Sequence, residues 1–250
     1  WPDPVESAST PDGAYKMAKL VRACRGLYDA CMAYELPLIS GKDSMKNDAV
    51  LAGKKVSVRP TLLISLLGVI DDVGLAVNTD FKQSGDAVYI IGMTNGELGG
   101  STYERVKREP MGSCPQVDFE SAGRLYRKLN EAIRAHLVSS CHDVSDGGLA
   151  VAMAESALAG DIGVDLDLAG IPAGDRAMEN ERLLFSESPS RFVVSVEPSR
   201  RAEFEQIMTG TPVGFAGTTT ATGRIVIRRN GKVLIDTGLD RVVDAWETGA

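Results

Sequence analysis

The residues with the densest chemistry lie in SSCHDVSDGGLAVAMAE, Ser139 to Glu155. Asp143 and Asp146 stand three apart with Ser145 between them, and Gly147 and Gly148 follow. Carboxylates and hydroxyls are oxygen ligands, the kind a hard cation such as Mg²⁺ shares with phosphate oxygens. The glycines let the backbone turn tightly and approach a ligand. The apolar run from Gly148 reads as a helix, and the free N–H groups at its start suit phosphate. Bare carboxylates there repel phosphate, and a cation between them resolves the conflict. A plainer role is open for the same residues: Asp146 as the N-cap of the helix. The two roles can coexist, with Asp146 as cap and Asp143 as ligand. His142 beside Asp143 has the partner needed for acid–base work. A histidine at the end of a buried strand serves structure equally well.

Two further loops carry polar groups at element ends. LISGKDSMKN, Leu38 to Asn47, is a turn in which Lys42 could meet a phosphate and Ser44 could donate to one. It lacks the GxxxxGK[ST] spacing of a phosphate-cradling loop, and a solvated turn is the competing reading. LLFSESPSRFVV, Leu183 to Val194, sets Ser186, Glu187, Ser188 and Ser190 before an apolar strand that begins at Arg191. Ser186, Ser188 and Arg191 are candidate phosphate contacts. The alternative is a turn whose serines close on the backbone. ELGGS, Glu97 to Ser101, is a further glycine turn.

The elements that must position these loops follow from periodicity. Met17, Leu20, Val21, Cys24, Leu27, Tyr28 and Cys31 recur at helical spacing, so a helix with a buried stripe is predicted over about 14–35, ended by Pro37. LPLIS reads as a short strand, and a strand pair is expected over about 55–70, including TLLISLLGVI. A domain boundary is placed near Phe81, giving domains 1–80 and 81–250. The second part alternates: strand AVYIIG, a helix over about 119–136, strand LVSSC, a helix from Gly148, strands VDLDL and RFVVSV, and a helix near Arg201. GRIVIRRNGKVLID is a hairpin with Asn230-Gly231 as a type I′ turn. The fold class is α/β (α+β): a partial domain followed by an α/β domain with a mixed sheet.

Bulk properties narrow the function classes. With 250 residues the chain holds one large domain or two moderate ones. A formal net charge of -7 leaves no positive field for phosphate backbones, so general nucleic-acid binding is excluded. No apolar run is long enough to cross a membrane. Cys24, Cys31, Cys114 and Cys141 form no CxxC pair, and a reduced, cytoplasmic setting is expected. The opening WPDPVES reads as the middle of a loop, giving the expectation of a piece cut from a longer polypeptide.

LISGKDSMKN, GDAVYIIG with ELGGSTY, CHDVSDGGLAVAMAE and LFSESPSRFVVSV occur together along the chain. The set resembles the phosphoribosylformylglycinamidine synthase family, over nearly the whole length. HDxSDGG with a downstream ES-x-SRF is its most specific part. The chain resembles the second half of that synthase, which is built from two related halves, each similar to aminoimidazole ribonucleotide synthetase (PurM-like). The resemblance implies a partial barrel-forming domain and a C-terminal α/β domain. It implies an ATP-dependent carbon–nitrogen ligase of purine biosynthesis, with ATP, Mg²⁺ and glutamine-derived ammonia. Formylglycinamide ribonucleotide is converted to the amidine: ATP phosphorylates the amide oxygen, and ammonia displaces phosphate. Gly41 would touch ATP and Ser44 the substrate, in an active site belonging to the first half. Asp143 would ligate Mg²⁺ and Ser145 would contact nucleotide, ADP in the family's auxiliary, non-catalytic pocket.

The chain also departs from the family. Short-chain members carry GNVS where GKDS stands here, and Lys42 cannot hold a metal as their Asn does, so the long-chain type is the better match. The family's auxiliary Glu and Asn ligands belong just before WPDPV, and its catalytic histidine belongs to the first half. No catalytic residue is therefore expected here, and the isolated chain is expected to be inactive. The implied partners are the first half of the same synthase, a glutaminase domain or subunit, and a small-molecule substrate. Alone, the chain is expected to self-associate as a dimer. Two other readings stand beside this one: a scaffold half holding an unreactive nucleotide, and another ATP-using relative of the selenophosphate synthetase or thiamine-monophosphate kinase type. The sequence upstream of Trp1 separates them, since a related repeat with a histidine-bearing loop marks the ligase.

Overall fold

The computed structural model describes residues 13–44 and 47–249. The loop expected at WPDPVES, and Met45 and Lys46 of the GKDS loop, lie outside the described residues. The chain divides into two units, Trp1–Val69 and Ile70–Ala250. The boundary falls earlier than Phe81 for a physical reason. Phe81 is buried among the apolar residues of the second unit, and its N–H donates to the Ser156 carbonyl at 3.1 Å.

The first unit contains helix α1, Gly13–Tyr34, and an antiparallel hairpin of β1, Asp48–Leu51, with β2, Lys54–Ser57. The hairpin turns at Ala52 and Gly53, both with positive φ. The helix forms where its periodicity predicts, but the stripe expected to be core is not covered. Met17, Val21, Cys24 and Tyr28 are exposed, and Cys31 is half-buried. LPLIS forms no strand. The strand pair expected over 55–70 is replaced by the β1–β2 hairpin, and residues 58–69 run without ladder partners. Leu63 and Val69 are 87% and 92% exposed. A strand needs a neighbour's peptide groups, and the described residues offer these stretches none.

The second unit contains, in chain order, β3 (Ala87–Ile91), α2 (Thr102–Lys107), α3 (Phe119–Arg134), β4 (Ser140–Asp143), α4 (Gly148–Gly160) and β5 (Gly163–Asp167). There follow α5 (Asn180–Phe185), β6 (Phe192–Val196), α6 (Arg201–Ile207), β7 (Val213–Thr220), β8 (Arg224–Arg229), β9 (Lys232–Gly238) and α7 (Leu239–Thr248). The strands form one seven-stranded sheet in the order β4-β6-β3-β7-β5-β8-β9. Only the β5–β8 pair is parallel, so the sheet is mixed, as predicted. The predicted hairpin is β8–β9, with Asn230 at φ 50° and Gly231 at φ 78°, the two positive angles of a type I′ turn.

Strand β3 shows why the unit has three layers. All five of its residues are buried, and they alternate between two cores. Val88 and Ile90 face Leu149 and Met153 of α4 and Leu183 of α5. Ala87, Tyr89 and Ile91 face Leu125 and Leu129 of α3 and Phe204 of α6. A strand covered on both faces reads as an unbroken apolar run, which is the sequence AVYII.

The pairing also gathers three loops. Asp143 ends β4 and pairs with Phe192, which starts β6, and Phe192 pairs with Ile91, which ends β3. The connections after β3, after β4 and before β6 therefore meet at one end of the sheet.

Ile90→Ala is expected to cost about 2–5 kcal/mol of stability, while Val233→Ala on the exposed side of β9 should stay within about 0.5 kcal/mol. Urea denaturation followed by circular dichroism checks both. Equal midpoints for the two variants would contradict the assignment of β3 as the centre of the core.

Candidate functional site

The turn between β4 and α4 is where the acids stand. Val144 is buried, and its N–H donates to the Arg191 carbonyl at 2.9 Å, fixing the exit of β4. Asp143 and Ser145, on either side, are exposed, with the Asp143 side chain 65% exposed. The chain then reverses through Gly147 at φ 82° and Gly148 at φ 70°. A Cβ on Gly148 would lie 2.7 Å from Phe185 C and Ser186 O, so only glycine allows α4 to start this close to the segment before β6.

The expected N-cap is corrected here. The cap position falls on Gly147, in the left-handed region, and Asp146 is exposed one residue before it. A capping side chain starts from extended backbone and reaches forward to the second or third helical amide; a left-handed glycine at the cap takes that position from the aspartate.

The glycine amides are not free to bind phosphate either. Gly148 N donates to the Ser145 carbonyl at 3.0 Å. Gly147 N donates to Glu187 Oε1 at 2.7 Å, and the same oxygen accepts from Thr102 N, the first residue of α2, at 2.8 Å. Glu187 thus ties the starts of α4 and α2 together.

The segment carrying Glu187 is itself held from inside. Arg191 is 1% exposed. Its Nε donates to the Ser188 carbonyl at 3.1 Å, one terminal nitrogen donates to Thr94 Oγ1 at 3.0 Å, and the other donates to the Ser186 carbonyl. Burial pushes the guanidinium down to about 10, with the charges of Glu97 and Glu187 acting the other way. It therefore stays charged at neutral pH. Ser188 Oγ accepts from Asn95 N at 3.1 Å, and Ser186 is fully buried. The candidate phosphate contacts Ser186, Ser188 and Arg191 are corrected on this ground: the residues are inside, with the guanidinium and the Ser188 hydroxyl committed to groups of their own loop and of the connection after β3. They shape the turn from inside.

His142 is a structural histidine in this arrangement. Its side chain is mostly buried, with Nε2 2.9 Å from Glu155 Oε2 on α4 and Nδ1 3.4 Å from Asp143 Oδ1. The contacts from Glu155 and Asp143 fix the ring across the β4–α4 junction.

The other predicted site residues belong to the first unit. Gly41 has open space around it. Lys42 Nζ donates to the Asp43 carbonyl at 2.9 Å and to Ser44 Oγ at 3.2 Å, within its own exposed loop. The structure therefore brings Asp143 and Ser145 together with the ES-P-SR segment within the second unit, and Gly41, Lys42 and Ser44 belong to the first. The sequence reading passed over Thr94 and took Glu97 only as the start of a glycine turn; the hydrogen-bonding roles of both appear only in the structure. Glu97 accepts from Gln116 N at 2.8 Å through Oε1. No local pattern marks either residue.

A hard cation suits the donors at the exposed edge, an aspartate carboxylate and a serine hydroxyl. Among the described residues no three His, Cys, Asp or Glu side chains converge on a metal position. Among the described residues no helix is long and apolar enough to cross a membrane.

Fold and site together define a three-layer α/β domain whose loops converge on an acidic, glycine-hinged turn. The chain belongs to the family described as AIR synthase related protein, C-terminal domain, whose model matches residues 83–230. It is 37% identical over 243 residues to the phosphoribosylformylglycinamidine synthase subunit PurL of Thermobifida fusca, covering 96% of this chain and 30% of that protein. Among solved structures it is similar to PurLQS from Thermotoga maritima, with a TM-score of 0.66 and 16% identity over 87% of this chain and 35% of that one. It is also similar to T. maritima PurL complexed with ATP, with a TM-score of 0.59 and 17% identity over 68% of this chain and 27% of that one. The chain thus spans about a third of the length of the relatives it matches.

Asp146→Ala is expected to change stability by less than about 0.5 kcal/mol. Gly148→Ala, strained at positive φ and pressed on the Ser186 backbone, should cost about 1–3 kcal/mol. Chemical denaturation of the two variants checks this. A larger loss for Asp146→Ala would restore the aspartate as a cap.

Proposed function

We propose that the chain is the second synthetase half of a phosphoribosylformylglycinamidine synthase, an ATP-dependent carbon–nitrogen ligase. What carries the reading is the likeness to the T. fusca subunit, which runs over 243 residues and so includes both the GKDS loop and the HDVSDGG turn. The substrate is formylglycinamide ribonucleotide, the nitrogen comes from glutamine, and a glutaminase domain or subunit delivers it. The setting is cytoplasmic.

In this reading the chain works through two separate loops. Gly41 leaves room for the nucleotide, and Ser44 donates to the substrate, in an active site shared with the first half. Lys42 supplies a positive charge beside them. Asp143 holds Mg²⁺ and Ser145 donates to a nucleotide, ADP, in an auxiliary pocket. When bound, the Mg²⁺ neutralises phosphate charge that Asp143 and Asp146 would otherwise repel. The turn keeps Asp143 pointed to solvent while both glycine amides stay committed to protein oxygens. Asp143 and Ser145 would therefore hold the metal and nucleotide with side-chain oxygens, while the amides at the start of α4 stay with protein acceptors.

Asp143→Asn in the full-length protein should lower the nucleotide retained through purification by about tenfold and leave the melting temperature of the nucleotide-free protein near that of the wild type. Nucleotide content by ion-exchange chromatography after heat release, with differential scanning calorimetry, provides the check. Full retention would remove Asp143 as a ligand.

The uncovered apolar residues of the first unit, among them Leu38, Ile39 and Val50, support the expectation that the chain alone self-associates as a dimer. Analytical ultracentrifugation over a wide concentration range should show the dimer, and a monomer throughout would contradict it. The isolated chain holds half of a composite site and makes no amidine, because catalysis needs both sets of groups pre-positioned together.

A further inference from the structure

We infer that Glu187 is the positioning residue of the acidic turn: its carboxylate sets where Asp143 and Ser145 stand, without touching the ligand. The inference rests on the reading of that turn as a metal–nucleotide pocket, and adds to it a residue that fixes the pocket's shape.

One oxygen of Glu187 accepts both the Gly147 and Thr102 N–H groups, at 2.7 and 2.8 Å. A single oxygen accepting two backbone N–H groups at normal hydrogen-bond distance pins both donors to one point. Glu187 cannot drift, because the carbonyls on both sides of it, Ser186 and Ser188, are gripped by the buried Arg191 guanidinium. Its own N–H donates to the Glu97 carbonyl at 3.4 Å. The turn, in turn, has little freedom except through Glu187. Val144 is fixed to the Arg191 carbonyl, Gly148 N is consumed by Ser145, and a side chain at Gly148 would strike Ser186. Between those anchors, the Gly147–Glu187 contact is what stops the Ser145–Gly147 stretch from swinging.

The chemistry makes a distinction that a general loss of stability would not make. Glu187 acts as an acceptor, so a neutral side chain with an oxygen at the same reach should serve. Glu187→Gln keeps that oxygen. Glu187→Asp keeps the charge but is one methylene too short to reach both amides. Glu187→Ala removes the acceptor.

The test is titration of the full-length protein, stripped of nucleotide, with a fluorescent ADP analogue at a series of Mg²⁺ concentrations. Asp143→Asn serves as control, and calorimetry of each variant reports folding. The expected result is that Glu187→Ala and Glu187→Asp raise the Mg²⁺ needed for half-saturation by about tenfold, while Glu187→Gln stays within about twofold of wild type. If Glu187→Ala does not fold, the Asp and Gln variants decide by the same criterion. Wild-type Mg²⁺ dependence in Glu187→Asp, or equal losses in the Asp and Gln variants, overturns the positioning role. If Asp143→Asn itself binds like wild type, the pocket reading fails and the positioning role falls with it. If only Asp143→Asn is impaired, the pocket stands and Glu187 is merely a neighbour.

Discussion

The second unit turns on a buried cation. Arg191 sits at the entry of β6 with its guanidinium inside, where an unpaired charge would be costly. It persists there because acceptors meet it from its own loop, the Ser186 and Ser188 carbonyls, and from a distant segment, the Thr94 hydroxyl. Those contacts bind the connection after β3 to the connection before β6. The Arg191 carbonyl also takes the Val144 N–H, which adds the connection after β4. Loops that the sheet merely brings near each other are thereby made one rigid body around the acidic turn.

The same arrangement explains how carboxylates and helix starts share one place. A helix start attracts anions. Here that attraction is used internally, by Glu187 on the amides of Gly147 and Thr102. The side chains of Asp143 and Ser145 are left to the solvent side. The turn thus treats its carboxylates differently: Glu187 holds the backbone, and Asp143 is presented outward to solvent. Such a division gives the ligand-facing group a fixed position from supports that need not move when a ligand arrives.

Much of the second unit was legible in the sequence, and the reasons are local. AVYII, VDLDL and FVVSV are short apolar or alternating runs between turn residues, and all three are strands. Asn230-Gly231 carries its turn type in its residue identities. TLLISLLGVI has the same apolar signature and forms no strand, because the peptide groups to pair with it are absent from the described residues. Composition cannot report a missing partner. In the site, the Asp143 turn was legible from its residue types, while its support was not. An arginine before a strand looks like a surface charge, and its burial depends on Thr94, nearly a hundred positions away. Asp146 looked like a cap because Asp before a helix so often is one; the left-handed glycine after it decided otherwise.

The central claim is that the turn presents Asp143 to a metal–nucleotide complex while Glu187 keeps the Gly147 amide. A crystal structure of the full-length protein with Mn²⁺ and ADP, with anomalous differences recorded for manganese, tests it most directly. The account predicts a manganese peak at ligand distance from the Asp143 carboxylate, ADP phosphate oxygens on the metal, and the Gly147–Glu187 hydrogen bond intact. Manganese away from Asp143, or a phosphate seated on Gly147 N with Glu187 displaced, would contradict it.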